Sequence, residues 1–140
     1  MARLDPHSYV EQDQTPPRHL RLDLEVDFES RRLAGEAALV LAGSQAGPLD
    51  LDTKGLAVHE VRTETGAAVP FTLGPEEPVF GRRLRVERPG AAREVRIRYE
   101  TSPEALGLQW LTPEQTAGGA HPFLFSQCQP IHARTLAPLP

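Results

Sequence analysis

The stretch RHLRLDLEVDF, residues 18–28, alternates without a break between apolar and polar side chains. Leu20, Leu22, Leu24, Val26 and Phe28 share one parity, and Arg21, Asp23, Glu25 and Asp27 share the other. Successive side chains of an extended backbone point to opposite faces. A period of two therefore predicts a strand that packs one face on a core and turns its charged face to water. Glu29-Ser30-Arg31-Arg32 has the form of a tight turn. Leu33, Ala37, Leu39 and Leu41 then recur on one side of a returning strand, with Gly35 expected at a bulge or a point of close approach. The fold starts from this hairpin.

The same punctuation continues downstream. After a loop at 43–48, Leu49 and Leu51 alternate with Asp50 and Asp52 in a short strand, and Lys54-Gly55 turns the chain. Leu56, Val58 and Val61 slip from even to odd spacing, which predicts a bulged strand running toward Thr63–Thr65. Further strands are expected over 68–73, around 83–87 and at Val95, Ile97 and Tyr99, with turns at Thr65-Gly66 and Arg88-Pro89-Gly90. Aspartates 23, 27, 50 and 52 read as solvated faces. Fourteen scattered prolines and eleven glycines argue against long helices. The class is all-β, a largely antiparallel β-sandwich type domain, with residues 1–17 an irregular lead-in and 18–140 the folded unit.

Composition narrows the function classes. A 140-residue chain suits one domain that buries roughly two-thirds of its unfolded surface. Net charge is −4, and the arginines are spread along strands rather than clustered, so no nucleic-acid surface is expected. Cys128, the single cysteine, excludes an internal disulfide framework. No apolar run approaches the roughly 20 residues of a membrane span, and the polar start has no secretory h-region. A cytoplasmic protein with no membrane or nucleic-acid partner is expected.

The chemically distinctive side chains gather between Tyr99 and Arg134, where Trp110, Cys128, Phe123, Phe125, Gln127 and Gln129 all lie. Residues 107–116 read as a loop for which Trp110 is the packing anchor. Thr112-Pro113-Glu114-Gln115 has the capping residue, first-position proline and capping-box glutamine of a helix start, limited by Gly118-Gly119 to one or two turns. His121-Pro122 leads into a strand over Phe123–Phe125. If that strand continues, Phe123, Phe125, Gln127 and Gln129 share a face. A glutamine offers an uncharged donor and acceptor, so the pair can accept from a substrate ammonium or bond a peptide backbone. The competing reading has both amides satisfying backbone groups at a strand end.

Metal and nucleophile chemistry find little support. His59-Glu60-Val61-Arg62-Thr63 opens like the zinc motif H-E-x-x-H but has threonine at the second histidine position, and the surrounding sequence reads as strand. His121 and His132 have no carboxylate at metal spacing. Cys128 with His132 nearby could be a nucleophile, but a lone cysteine is more often a small buried hydrophobe. No catalytic and no metal-binding residue is expected in the chain.

Three pieces, RHLRLDLEVDFESRRLAGEAAL, LDLDTKGLAVHEV and TSPEALGLQWLTPEQTAGGAHPFLFSQCQPIHAR, follow one another as they do in the M1 family of zinc aminopeptidases. The chain from about Pro17 onward resembles the N-terminal domain of that family's leukotriene A(4) hydrolase-like branch. The resemblance implies a saddle-like β domain that caps the cleft of a thermolysin-like catalytic domain, and a sheet incomplete at its C-terminal end. It also implies that Gln127 and Gln129 line the cleft and that Gln129 helps hold the free amino terminus of a peptide substrate. Pro130 stands where better-known members carry alanine. The family's zinc and its G-x-M-E-N substrate motif would belong to sequence absent here, so this chain is expected to hold no cofactor and to depend on a catalytic zinc domain. The alternative is a free-standing β module that binds a peptide or protein through the 110–129 rim or an open sheet edge.

Overall fold

The computed structural model describes residues 5–43, 47–88 and 90–140. In chain order the strands are β1 (His19–Asp27), β2 (Arg32–Val40), β3 (Leu49–Thr53), β4 (Ala57–Thr63), β5 (Phe71–Leu73), β6 (Arg82–Val86), β7 (Glu94–Glu100), β8 (Leu108–Leu111) and β9 (Phe123–Ser126). Single 3-10 turns occupy Pro113–Gln115 and His132–Thr135. One sheet has the order β1-β2-β7-β4, a second β3-β6-β5, and β8 pairs with β9. Every one of these pairings is antiparallel, as the sequence led us to expect. The loop expected at 43–48 and the turn at 88–90 fall partly outside the described residues.

Alternation in the sequence becomes a two-faced sheet. Leu39 of β2, Val95 and Ile97 of β7 and Val61 of β4 form one buried cluster with Leu49, Leu51, Leu84 and Val86 of the second sheet. The core therefore lies between the two sheets, and each fully buried aliphatic side chain in it contributes about 1.5–3 kcal/mol by leaving water. The expected bulge in β4 is present as a register shift between Val58 and Glu60. Gly35 needs no bulge, because its register with Leu24 is continuous. A Cβ there would stand 2.1 Å from the Asp23 carbonyl oxygen, so the residue is a point of close approach.

The first hairpin closes on Asp27, whose carboxylate accepts from the backbone N–H groups of Glu29 (2.9 Å) and Ser30 (3.1 Å) and from the Ser30 hydroxyl (2.7 Å). These bonds, led by that hydroxyl, hold its carboxyl below the usual carboxylate range. Such a group supports the fold above its ordinary pKa, and the support is lost as pH falls through the lowered value.

Two expectations are corrected. The apolar face of β1 is only half covered: Leu20 and Leu24 pack against the core, but Leu22 is 39%, Val26 44% and Phe28 41% exposed. The cause is position, since β1 is the outermost strand of its sheet. Asp50 and Asp52, expected to be solvated, are 2% and 4% exposed, whereas Asp23 and Asp27 do face water. The second correction follows from what covers the far side of β3.

That cover comes from both ends of the chain. Residues 5–18 carry no strand or helix, yet they bond extensively to β3. The Gln14 amide donates to the Asp50 carbonyl at 2.9 Å and accepts from the Asp50 N–H at 2.7 Å, imitating the peptide of a neighbouring strand. Two residues along the same edge, Leu139 takes over by exchanging backbone hydrogen bonds with Asp52 (2.6 and 3.2 Å). The Asp50 carboxylate is gripped by both nitrogens of an Arg85 fork (2.8 and 2.7 Å), which raises the arginine's affinity for its proton. The Tyr9 N–H donates to the Asp52 carboxylate at 2.8 Å.

Arg134 ties these pieces together. Its buried guanidinium donates to the carbonyls of Ile131 (3.0 Å), Phe80 (3.0 Å) and His7 (2.7 Å) and lies 3.3 Å from the Asp52 carboxylate. One side chain thus joins the lead-in, the β5–β6 connection, β3 and the C-terminal turn.

Replacing Gln14 by leucine keeps most of the volume but leaves the Asp50 N–H and carbonyl without partners. We expect Gln14→Leu to lower unfolding stability by about 1–3 kcal/mol, read from the urea midpoint. An unchanged midpoint would show that the β3 edge does not need the amide.

Candidate functional site

The chemically distinctive segment folds as a hairpin followed by a tight turn. Leu108 pairs with Ser126, Gln109 with Phe125, Trp110 with Leu124 and Leu111 with Phe123. The sequence reading of 107–116 as loop missed β8. The four residues Leu108–Leu111 are too few for periodicity to register, and only pairing with β9 fixes them. The capping signal was real: the Thr112 N–H donates to the Gln115 side chain at 2.9 Å at the head of the 3-10 turn.

Cross-strand pairs share a face. Trp110, Leu124 and Leu108 turn inward and join Leu33 and Ala105 in a second cluster. Trp110 meets Phe28 edge to face at 5.6 Å and 90°. It serves as the expected packing anchor, although its buried indole N–H bonds to no described residue. The other face carries Phe123 and Phe125, both exposed, with ring centroids 6.4 Å apart. Regular pairing ends at Ser126, so Gln127 and Gln129 continue from the strand as a turn rather than as further strand positions.

That turn is held from beneath. The Gln127 N–H donates to the Gly107 carbonyl at 3.0 Å, and the His132 N–H to the Cys128 carbonyl at 2.8 Å. The Thr135 hydroxyl accepts from the Gly107 N–H (3.0 Å) and donates to the His132 carbonyl (2.6 Å). The Tyr99 hydroxyl reaches the Leu136 carbonyl at 2.9 Å, and burial pushes that phenol's pKa well upward. Gly107 lies so close to the turn that a Cβ would be 2.8 Å from both the His132 carbonyl and the Thr135 hydroxyl.

Both glutamines are exposed. The Gln127 side-chain oxygen accepts from the Gln129 N–H at 3.4 Å, a long bond that agrees with the strand-end reading for this residue. The Gln129 amide bonds to no described residue, and the Gln129–Pro130 peptide is cis. Cys128 is half-buried between them.

Zinc does not fit the residues present. His59 has one acidic neighbour, the Glu100 carboxylate at 3.6 Å, and Thr63 stands on the same strand where the motif wants a second histidine. Among the described residues no group of three or more His, Cys, Asp or Glu side chains converges as a metal site. Among them too, no helix is long and apolar enough to cross a membrane.

Comparison with known proteins gives this arrangement a lineage. The chain is 38% identical over 138 residues to leucine aminopeptidase 2 of Yarrowia lipolytica, covering 96% of this chain and 21% of that protein. It is 38% identical over 141 residues to leukotriene A-4 hydrolase of Xenopus laevis, covering 96% and 23%. Native leukotriene A4 hydrolase from Saccharomyces cerevisiae superposes with a TM-score of 0.84 at 29% identity, over 96% of this chain and 22% of that one. The chain is a homologue of the N-terminal domain of leukotriene A4 hydrolase-like aminopeptidases. No protein-family model matches it. It spans between a fifth and a quarter of the length of these relatives, and it is not their catalytic part.

Because Gly107 leaves no room for a methyl group, Gly107→Ala should push Cys128 and the 132–135 turn outward. The expected loss is about 1–3 kcal/mol of stability, together with faster labelling of Cys128 by a thiol reagent under native conditions. Labelling at the parent rate would mean that the turn does not rest on this contact.

Proposed function

We propose that this chain is the substrate-capping portion of a zinc aminopeptidase, shaping the place where a peptide's free amino terminus docks while other sequence supplies the metal and cuts the bond. The carrying observation is the turn after β9. It presents two neutral amides to solvent from a backbone fixed by Gly107, Thr135 and Tyr99. An ammonium group needs oxygen acceptors, and the Gln129 carbonyl oxygen, which no described residue engages, is one that carries no charge to compete for a metal.

In this reading Gln127 steadies the turn through the Gln129 N–H, and Gln129 contacts the substrate. The exposed Phe123–Phe125 face beside them supplies apolar surface for the catalytic domain or for substrate side chains. In the parent enzyme zinc would activate the attacking water, and no residue of this chain takes part in that step. Residues 18–140 then form the N-terminal-like β domain and residues 1–17 its lead-in. Cytoplasmic residence belongs to the same proposal.

The chain by itself is expected to retain no zinc after dialysis and to leave aminoacyl-nitroanilides uncut; one zinc per chain with turnover would sink the reading. The positive arm replaces the matching domain of yeast leukotriene A4 hydrolase with residues 18–140. In an active chimera, Gln129→Ala should raise KM for peptides by about tenfold, one lost hydrogen bond to a charged group, with little change in kcat. Unchanged KM would remove Gln129 from the substrate site.

A further inference from the structure

The outer edge of β1 is left open by the described residues. Leu41 donates to the Arg93 carbonyl and Thr101 to the Leu33 carbonyl, so the odd-numbered peptides of β2 bond β7 and its even-numbered peptides face β1. Through the β1–β2 register this assigns the odd-numbered peptides of β1 to β2. The peptide groups of Leu20, Leu22, Leu24 and Val26 are left along the outer edge, which no described strand covers. On the core side of the same strand, Leu22 and Val26 remain exposed. A nine-residue edge strand with an open apolar face is the kind of surface that recruits another strand.

Charged side chains on an edge ordinarily repel a second copy. In β1 their order does the reverse. Antiparallel self-pairing must keep apolar residues on one face, so residues pair only where their two numbers sum to an even value. Centred on Asp23, the pairing sets Asp23 against itself. Centred on Leu24, it sets Asp23 against Glu25, and centred on Arg21, arginine meets arginine. Centred on Leu22, it places Arg21 opposite Asp23, Asp23 opposite Arg21 and His19 opposite Glu25, with Leu20 opposite Leu24 and no like-charged pair. In that register the outward peptides are also the ones that meet each other. The exposed Arg21 head lies 3.6 Å from the Glu94 carboxylate, an ion pair longer than a hydrogen bond.

We propose that two copies of this chain associate through β1, antiparallel and in the register centred on Leu22, to make one continuous eight-stranded sheet. The occupant is a second copy because the complementarity belongs to the strand's own order of charges. It extends the open apolar stripe of each copy across the two-fold axis.

The register makes the test specific. Sedimentation of the 140-residue chain from micromolar to sub-millimolar concentration should show a species of twice the 15.4 kDa chain mass. Arg21→Glu alone and Asp23→Arg alone each turn two attractive cross-strand pairs into repulsive ones and should weaken association by about tenfold. Combining them restores opposite charges and should return association to the parent strength. Leu22→Lys, which meets itself on the axis, should abolish it. All three side chains are exposed, and circular dichroism should show unchanged strand content. A chain that stays monomeric throughout overturns the proposal, as does a double variant no stronger than the singles or a Leu22→Lys variant that still dimerises.

Discussion

A guanidinium buried against a carboxylate, Arg134 on Asp52, is the contact on which this arrangement depends. The two groups are 3.3 Å apart with almost no solvent access. Neither could be left there alone, since a buried charge without its partner is far more costly than the pair is favourable. Each therefore dictates where the other's segment must run. Asp52 fixes β3, and Arg134 brings the 132–135 turn to it. The remaining N–H groups of that arginine draw in the carbonyls of His7 and Phe80. Segments at opposite ends of the chain are thereby committed to one place.

The consequences reach the candidate site through short steps. Once the 132–135 turn is fixed, the Thr135 hydroxyl holds the Gly107 N–H, and the Gly107 carbonyl holds the N–H of Gln127. Trp110 and Leu124 anchor the other end of the hairpin on the second cluster. The glutamines are thus exposed without being loose, which is what a docking position for a charged terminus needs if little ordering is to be lost on binding. The same architecture leaves Phe123, Phe125 and the outer half of β1 uncovered, surfaces fit for contact with other protein.

How much of this was legible depends on how locally each feature is determined. The β1–β2 hairpin, the Val95–Tyr99 strand and the capped turn at Thr112 are set by neighbouring residues, and period and turn chemistry located them. The fate of Asp50 and Asp52 was not local. Leu-Asp-Leu-Asp reads alike whether the aspartates meet water or arginines. Only the pairing of β3 with Arg83 and Arg85 of β6, and the return of residues 9–14 over that face, distinguishes the two. The opposite error at Leu22 and Val26 has the same root, since alternation marks a face for burial without saying whether the strand lies at an edge. Gln127 and Gln129 could be singled out as a pair, but their presentation rests on Gly107 and Thr135, and no spacing rule connects those residues.

A double-mutant cycle on Asp52 and Arg134 tests this account most directly. Asp52→Asn and Arg134→Met should each lose about 3–5 kcal/mol of unfolding stability. The double variant should lose much less than their sum, with a coupling of about 2–3 kcal/mol. Losses that simply add, or single variants close to the parent, would show that the two ends of the chain are held by something other than this pair.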